Sequence, residues 1–136
     1  MKPSLPRTLV IDDDEIAREL VVSTLRDAGY ETFELASPIG ATQVISREKI
    51  EIVVLDIMMP GLSGDKLAKM LRANPRLGLL GIVLVSSCSP EQLAEVAESV
   101  RADAVVRKSE IRQRLLPMMM RVRASFSRDR SGRRVS

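Results

Sequence analysis

The 136-residue chain contains no histidine, no tryptophan, one cysteine and three aromatic residues, Tyr30, Phe33 and Phe126. The missing histidine excludes Ser-His and Cys-His nucleophile pairs and any imidazole metal site. Chemistry on this chain has to run on carboxylates, hydroxyls and lysine. With Cys88 as the only cysteine there is no internal disulfide, and nothing points to an oxidising compartment. No apolar run approaches the roughly 20 residues that cross a bilayer, and the opening MKPSLPR lacks the apolar core of a signal sequence. The expected location is cytoplasmic, without membrane insertion.

What is present fits one domain with one core. A hydrophobic share of 45% beside 29% charged residues is that of a soluble globular chain. The net charge of +3 is unevenly spread: six arginines against Asp129 give the last sixteen residues +5, which leaves −2 on the first 120. The expected organisation is a domain over residues 1–124 and an Arg-rich, disordered tail over residues 125–136. Contact of that tail with nucleic acid is not favoured, because only Phe126 could stack on a base.

Hydrophobic period alternates between strand-like and helix-like, the signature of repeated βα units around a parallel sheet. Strands are expected at residues 9–11, 32–36, 52–55, 82–85 and 105–106. The first helix should turn Ile16, Leu20, Leu25 and Ala28 inward and stop at Gly29; a second should span residues 38–47; the third should bury Leu67, Met70 and Leu71. Ser89 caps the fourth, with Pro90 in its first turn. Ile111, Leu115, Met118 or Met119, and Val122 line the last, where Pro117 either kinks the helix or sits in its first turn.

In such a sheet the carboxyl ends of the strands open onto one edge, where ligands bind. The residues falling there are Asp12, Asp13 and Asp14, then Asp56, then Ser86 and Ser87, then Lys108. Taken singly, three aspartates before a helix are first of all caps, Ser86 a turn hydroxyl and Lys108 a solvated charge. Asp56 is harder to dismiss, because a wholly apolar strand feeds into a carboxylate and then turns through Pro60 and Gly61. Crowded carboxylates repel one another unless a cation sits among them, and Mg²⁺ suits carboxylate, carbonyl and water oxygens. With a hydroxyl and an ammonium added, the set suits a phosphoryl group whose acceptor is a carboxylate.

The pieces LVIDDDEIAR (residues 9–18), VVLDIMMPGLSG (53–64), IVLVSS (82–87) and ADAVVRKS (102–109) resemble, in order and spacing, the response-regulator receiver domain of bacterial two-component signalling, over about residues 7–124. The resemblance implies a doubly wound five-stranded parallel sheet, (βα)5 and flavodoxin-like, with strand order 2-1-3-4-5. It implies Asp56 as phosphoacceptor, served by a sensor histidine kinase or phosphotransfer protein. Asp12, Asp13 and the backbone carbonyl of Met58 would hold Mg²⁺ together with Asp56, while Ser86 and Lys108 would bind the phosphoryl oxygens. A downstream protein partner would read the face around the fourth helix, fifth strand and fifth helix. Such a chain is a switch and not a turnover enzyme.

Two positions depart from the family pattern. Val105 stands where an aromatic ring usually swings on activation, and Ser109 follows the lysine where proline with a cis bond is usual. A cis bond before a non-proline residue costs about 2.5 to 4 kcal/mol, so a trans or altered loop is expected. These departures support a rival reading, a degenerate receiver acting as a phosphorylation-independent interaction module. An aspartate-based phosphatase ranks lower, because Met58 occupies the position of its second acid.

Overall fold

A computed structural model describes residues 5–59 and 63–130, with residues 126–130 described by their backbone alone. Along the chain run β1 (Thr8–Ile11), α1 (Glu15–Asp27), β2 (Thr32–Leu35), α2 (Ala41–Glu48), β3 (Ile52–Asp56), α3 (Gly64–Ala73), β4 (Gly81–Ser86), α4 (Pro90–Val100), β5 (Ala104–Arg107) and α5 (Ile111–Arg130). Among the described residues the five strands form one parallel sheet in the order β2-β1-β3-β4-β5. This is the doubly wound flavodoxin-like arrangement that the resemblance implies.

Alternation along each strand divides the core between the two faces of the sheet. Leu9, Ile11, Val53, Leu55, Ile82 and Leu84 meet the buried residues of α2, α3 and α4 on one face. Val10, Ile52, Val54, Val83, Val85 and Val106 meet α1 and α5 on the other. Covered on both sides, β3 and β4 are apolar almost throughout. At Gly81, the first residue of β4, α5 crosses closely: a Cβ would lie 2.8 Å from Val122 Cγ1.

Several helix details differ from the expectation. In α1 the buried stripe is Ala17, Val21, Val22 and Leu25, whereas Ile16 is 80% exposed in the first turn, past the end of β1. In α3 it is Ala68 that joins Leu67 and Leu71, its methyl small enough for close approach, while Met70 is 57% exposed. The α2 helix starts at Ala41 and not near residue 38, because Gly40 takes a left-handed φ of 86° and ends the preceding turn. Met119, not Met118, completes the α5 stripe. Pro117 lies inside α5, beyond its first turn, on the solvent side with Gln113, whose carbonyl would otherwise accept its missing N–H bond. The α5 helix also continues to Arg130, through the boundary expected after Ala124, and residues 131–136 lie outside the described residues.

Candidate functional site

Parallel pairing brings four strand ends to one edge. Asp12 follows β1, Asp56 ends β3, Ser86 ends β4 and Lys108 follows β5, so the side chains expected to work together sit on neighbouring strands. Each has a local reason for its place. The Asp12 N–H donates to the Leu35 carbonyl (3.2 Å), extending the pairing with β2, and its Oδ1 accepts from the Asp14 N–H (2.9 Å). Asp14 caps α1, accepting from the N–H groups of Ile16 (3.1 Å) and Ala17 (3.5 Å). Asp56 Oδ1 accepts from the Met58 N–H (3.1 Å), which turns the chain at the end of β3. The turn expected at Pro60 and Gly61 lies outside the described residues.

Lys108 ties the edge together. Its Nζ lies 3.3 Å from Asp56 Oδ2, 3.4 Å from Asp12 Oδ2 and 3.9 Å from Asp14 Oδ2. Asp12 and Asp56 are each 2% exposed, so both carboxylates are largely removed from water. Burial pushes the Asp12 carboxyl from 3.8 up to about 6; the Asp14 amide draws it back, the charge of Asp56 adds to the rise, and Lys108 offsets part of it. For Lys108 burial acts downward, but the charges of Asp12 and Asp56 prevail and hold its ammonium above the usual lysine value. Lys108 therefore stays charged.

Asp12, Asp13 and Asp56 each place a carboxylate oxygen within 4.8 Å of the others. Hard oxygen donors this close, two of them buried and one pushed toward protonation by its surroundings, are the donor set for a divalent cation such as Mg²⁺. The residues present fit that ion. Ser86 is fully buried on the next strand end, and its Oγ accepts from the Cys88 N–H (3.1 Å). As an acceptor there, its hydroxyl keeps a proton to donate.

Past β5, residues Lys108–Glu110 form a 3-10 turn that leads directly into α5. No cis peptide occurs among the described residues, so the bond before Ser109 is trans, the first of the two outcomes expected for a non-proline residue there. Val105 is partly buried against the face carrying α2, α3 and α4.

Two residues of the site were not singled out from the sequence. Arg18 donates through Nη1 to the Asp12 carbonyl (2.8 Å) and through Nε to Glu34 Oε1 (3.2 Å). Its only signal was a position one turn and a half past the aspartates. Gly64 opens α3, donates its N–H to the Ile57 carbonyl (2.9 Å), and leaves no room for a Cβ beside the Asp56 backbone. A glycine at a helix start, eight residues past the carboxylate, was the available hint.

A flavodoxin-like sheet with carboxylates and a lysine gathered at its carboxyl edge defines a signalling domain of the receiver class, and the comparisons agree. The family model described as response regulator receiver domain matches residues 8–120, and the chain belongs to that family. Among characterised relatives, the transcriptional regulatory protein GltR of Pseudomonas aeruginosa is 27% identical over 126 residues, covering 91% of this chain and 52% of that protein. The phosphate regulon transcriptional regulatory protein PhoB of the same organism is 31% identical over 100 residues, covering 74% and 44%. The chain thus spans about half the length of these relatives. Among solved structures, the chemotaxis protein CheY4 of Vibrio cholerae aligns with a TM-score of 0.78 at 26% identity, over 88% of this chain and 99% of that one. The receiver domain of the histidine kinase CKI1 from Arabidopsis thaliana, complexed with Mg²⁺, shares the fold with a TM-score of 0.73 at 22% identity, over 86% and 91%. The chain is a receiver domain of two-component signalling. Among the described residues no helix is long and apolar enough to cross a membrane.

Proposed function

We propose that this receiver domain is a Mg²⁺-dependent switch that accepts a phosphoryl group on Asp56 from the phosphohistidine of a sensor histidine kinase or phosphotransfer protein in the cytoplasm. The observation that carries this reading is the position of Asp56: rigid at the end of a buried strand, 3.3 Å from a charged lysine, and clustered with Asp12 and Asp13. One Asp56 oxygen attacks phosphorus in line. The P–N bond to the donor imidazole breaks, the imidazole leaves with the bonding pair and takes a proton from solvent, and an acyl phosphate forms. Asp12, Asp13, Asp56 and the Met58 carbonyl would hold the ion, which supplies charge neutralisation for the phosphoryl oxygens.

The remaining work falls to side chains. Lys108 already stands beside Asp56 and pairs with a phosphoryl oxygen as charge develops there. Ser86 donates its free hydroxyl proton to another, and because the same oxygen holds the Cys88 N–H, its movement carries the connection into α4. Arrival of the phosphoryl group biases a two-state equilibrium of that connection, which a downstream protein reads on the face of α4, β5 and α5. Hydrolysis of the acyl phosphate by water resets the switch, so the chain performs only its own phosphoryl acceptance and release.

The rival, a phosphorylation-independent interaction module, draws on Val105 and on the 3-10 turn at Lys108–Glu110. Intact-mass measurement after incubation with acetyl phosphate and Mg²⁺ separates the two. Wild type gains one phosphoryl mass and Asp56→Asn gains none; an unlabelled wild type leaves only the module.

A further inference from the structure

We propose that Arg18 is a positioning residue for the acidic pocket, fixing the peptide plane between Asp12 and Asp13 and thereby the approach of the two carboxylates to a shared cation. The inference rests on the reading of the pocket given above. The Asp12 carbonyl and the Asp13 N–H belong to one rigid peptide unit, so whatever holds that carbonyl sets how Asp13 leaves the strand. Arg18 Nη1 holds it at 2.8 Å. On its other side the Asp12 N–H is held by the Leu35 carbonyl of β2 (3.2 Å).

The arginine is itself held. Its Nε donates to Glu34 Oε1 at 3.2 Å, and its side chain is only 17% exposed. Pairing of Val10 with Glu34 and of Ile11 with Leu35 sets this carboxylate beside the end of β1. Arg26 steadies the other side of Glu34, with Nη1 3.8 Å from Oε2 and Nη2 donating to the Thr32 carbonyl at 2.8 Å. The result is a strut from the edge strand to the Asp12–Asp13 peptide. The planar fork carries its donors on separate atoms, Nη1 for the carbonyl and Nε for the carboxylate, in a fixed geometry that the single rotatable ammonium of a lysine does not reproduce.

A carbonyl at a strand end needs no charged partner, because water satisfies it where water reaches. Here Asp12 is 2% exposed, and water meets only the outer side of Arg18, which with Arg26 and Glu34 lines an open groove of about 490 Å³ between α1 and β2. Solvent contact also means that replacing Arg18 leaves the apolar stripe of α1 in place. Positioning and simple charge predict opposite results. Removing a cation near a cluster of carboxylates strengthens binding of another cation if charge alone matters; it weakens binding if Arg18 holds the ligands in place.

The test is Mg²⁺ titration of the full chain, followed through the amide resonances of residues 12–14, with thermal unfolding as the check on folding. Arg18→Ala and Arg18→Lys each lose about 10-fold in Mg²⁺ affinity, the low end for groups that orient metal ligands. Glu34→Gln keeps an acceptor for Nε and loses less than either. In the metal-free protein Arg18→Lys, which preserves the charge, still shifts the Asp13 amide resonance. Unchanged or tighter binding in Arg18→Lys overturns the assignment, as does tighter binding in a folded Arg18→Ala. A wild-type chain that binds no Mg²⁺ overturns the reading of the pocket itself, whereas normal wild-type binding with indifferent variants overturns the role of Arg18 alone.

Discussion

Gly64 abuts Asp56 so closely that no side-chain carbon fits between them: a Cβ there would overlap the Asp56 carbonyl oxygen and come within 2.6 Å of Ile57 Cα. The opposing atoms are backbone and cannot rotate away. The start of α3 is thus pressed onto the strand end that carries Asp56, the proposed phosphoacceptor.

Gly64→Ala accordingly forces β3 and α3 apart at Asp56. Overpacking of this kind costs about 1 to 3 kcal/mol, and the displaced carboxylate should be phosphorylated more slowly. Urea unfolding with acetyl phosphate labelling measures both. Stability within about 0.5 kcal/mol of wild type, as for an ordinary surface change, together with normal labelling, would show that the contact does not constrain the site.

Asp13 and Asp14 adjoin in sequence but differ in task. Asp14 accepts the N–H groups of Ile16 and Ala17, so Asp14→Ala should lose about 1 kcal/mol of stability, as for other helix caps, with little change in Mg²⁺ affinity. Asp13 is exposed and clustered with Asp12 and Asp56, so Asp13→Ala should keep its stability and lose the ion. Calorimetry on the two variants checks the pair of outcomes; equal losses of affinity would place the wrong aspartate in the cluster.

Tyr30 is the sole tyrosine in a chain without tryptophan, so tyrosinate absorbance reports on it alone. Burial raises its pKa above 10.0, and the charge of Arg123 offsets part of the rise. Because the folded value exceeds the unfolded one, the neutral phenol's contribution to stability is fully present below the unfolded pKa and is lost as pH rises through the folded pKa. The native titration midpoint should lie above 10.0 and rise further in Arg123→Ala. A native midpoint equal to that in denaturant would contradict this.

Beryllofluoride with Mg²⁺ should shift backbone resonances near residues 86–90 and at Lys108, with small effects along the rest of β5. Val105 has a short, branched side chain with restricted χ1 and cannot sweep between buried and exposed positions as a ring does. Motion reaching α4 must then come from Ser86 and the Cys88 N–H that it holds, or from the Lys108–Ser109 backbone adjusting as the ammonium pairs. NMR shift mapping tests this, and a rearrangement centred on Val105 would refute it.

Local pattern was enough to place the strands and helices, because two-residue and 3.6-residue periods are properties of the chain itself. It also set Asp12, Asp56, Ser86 and Lys108 at strand ends, since an apolar run that stops at a polar side chain marks where the core stops. Pattern could not choose between neighbouring helical stripes: Ile16 and Ala17 both begin plausible ones, and the choice depends on which side α1 turns to the sheet. Nor could it show Lys108 reaching Asp12 and Asp56 across separations of 96 and 52 residues. The tasks of Gly64 and Arg18 exist only once α3 presses on β3 and β2 lies beside β1. A side chain that is missing, or one that grips a distant carbonyl, leaves no periodic mark, because its partner is set by packing between elements and not by the residues around it.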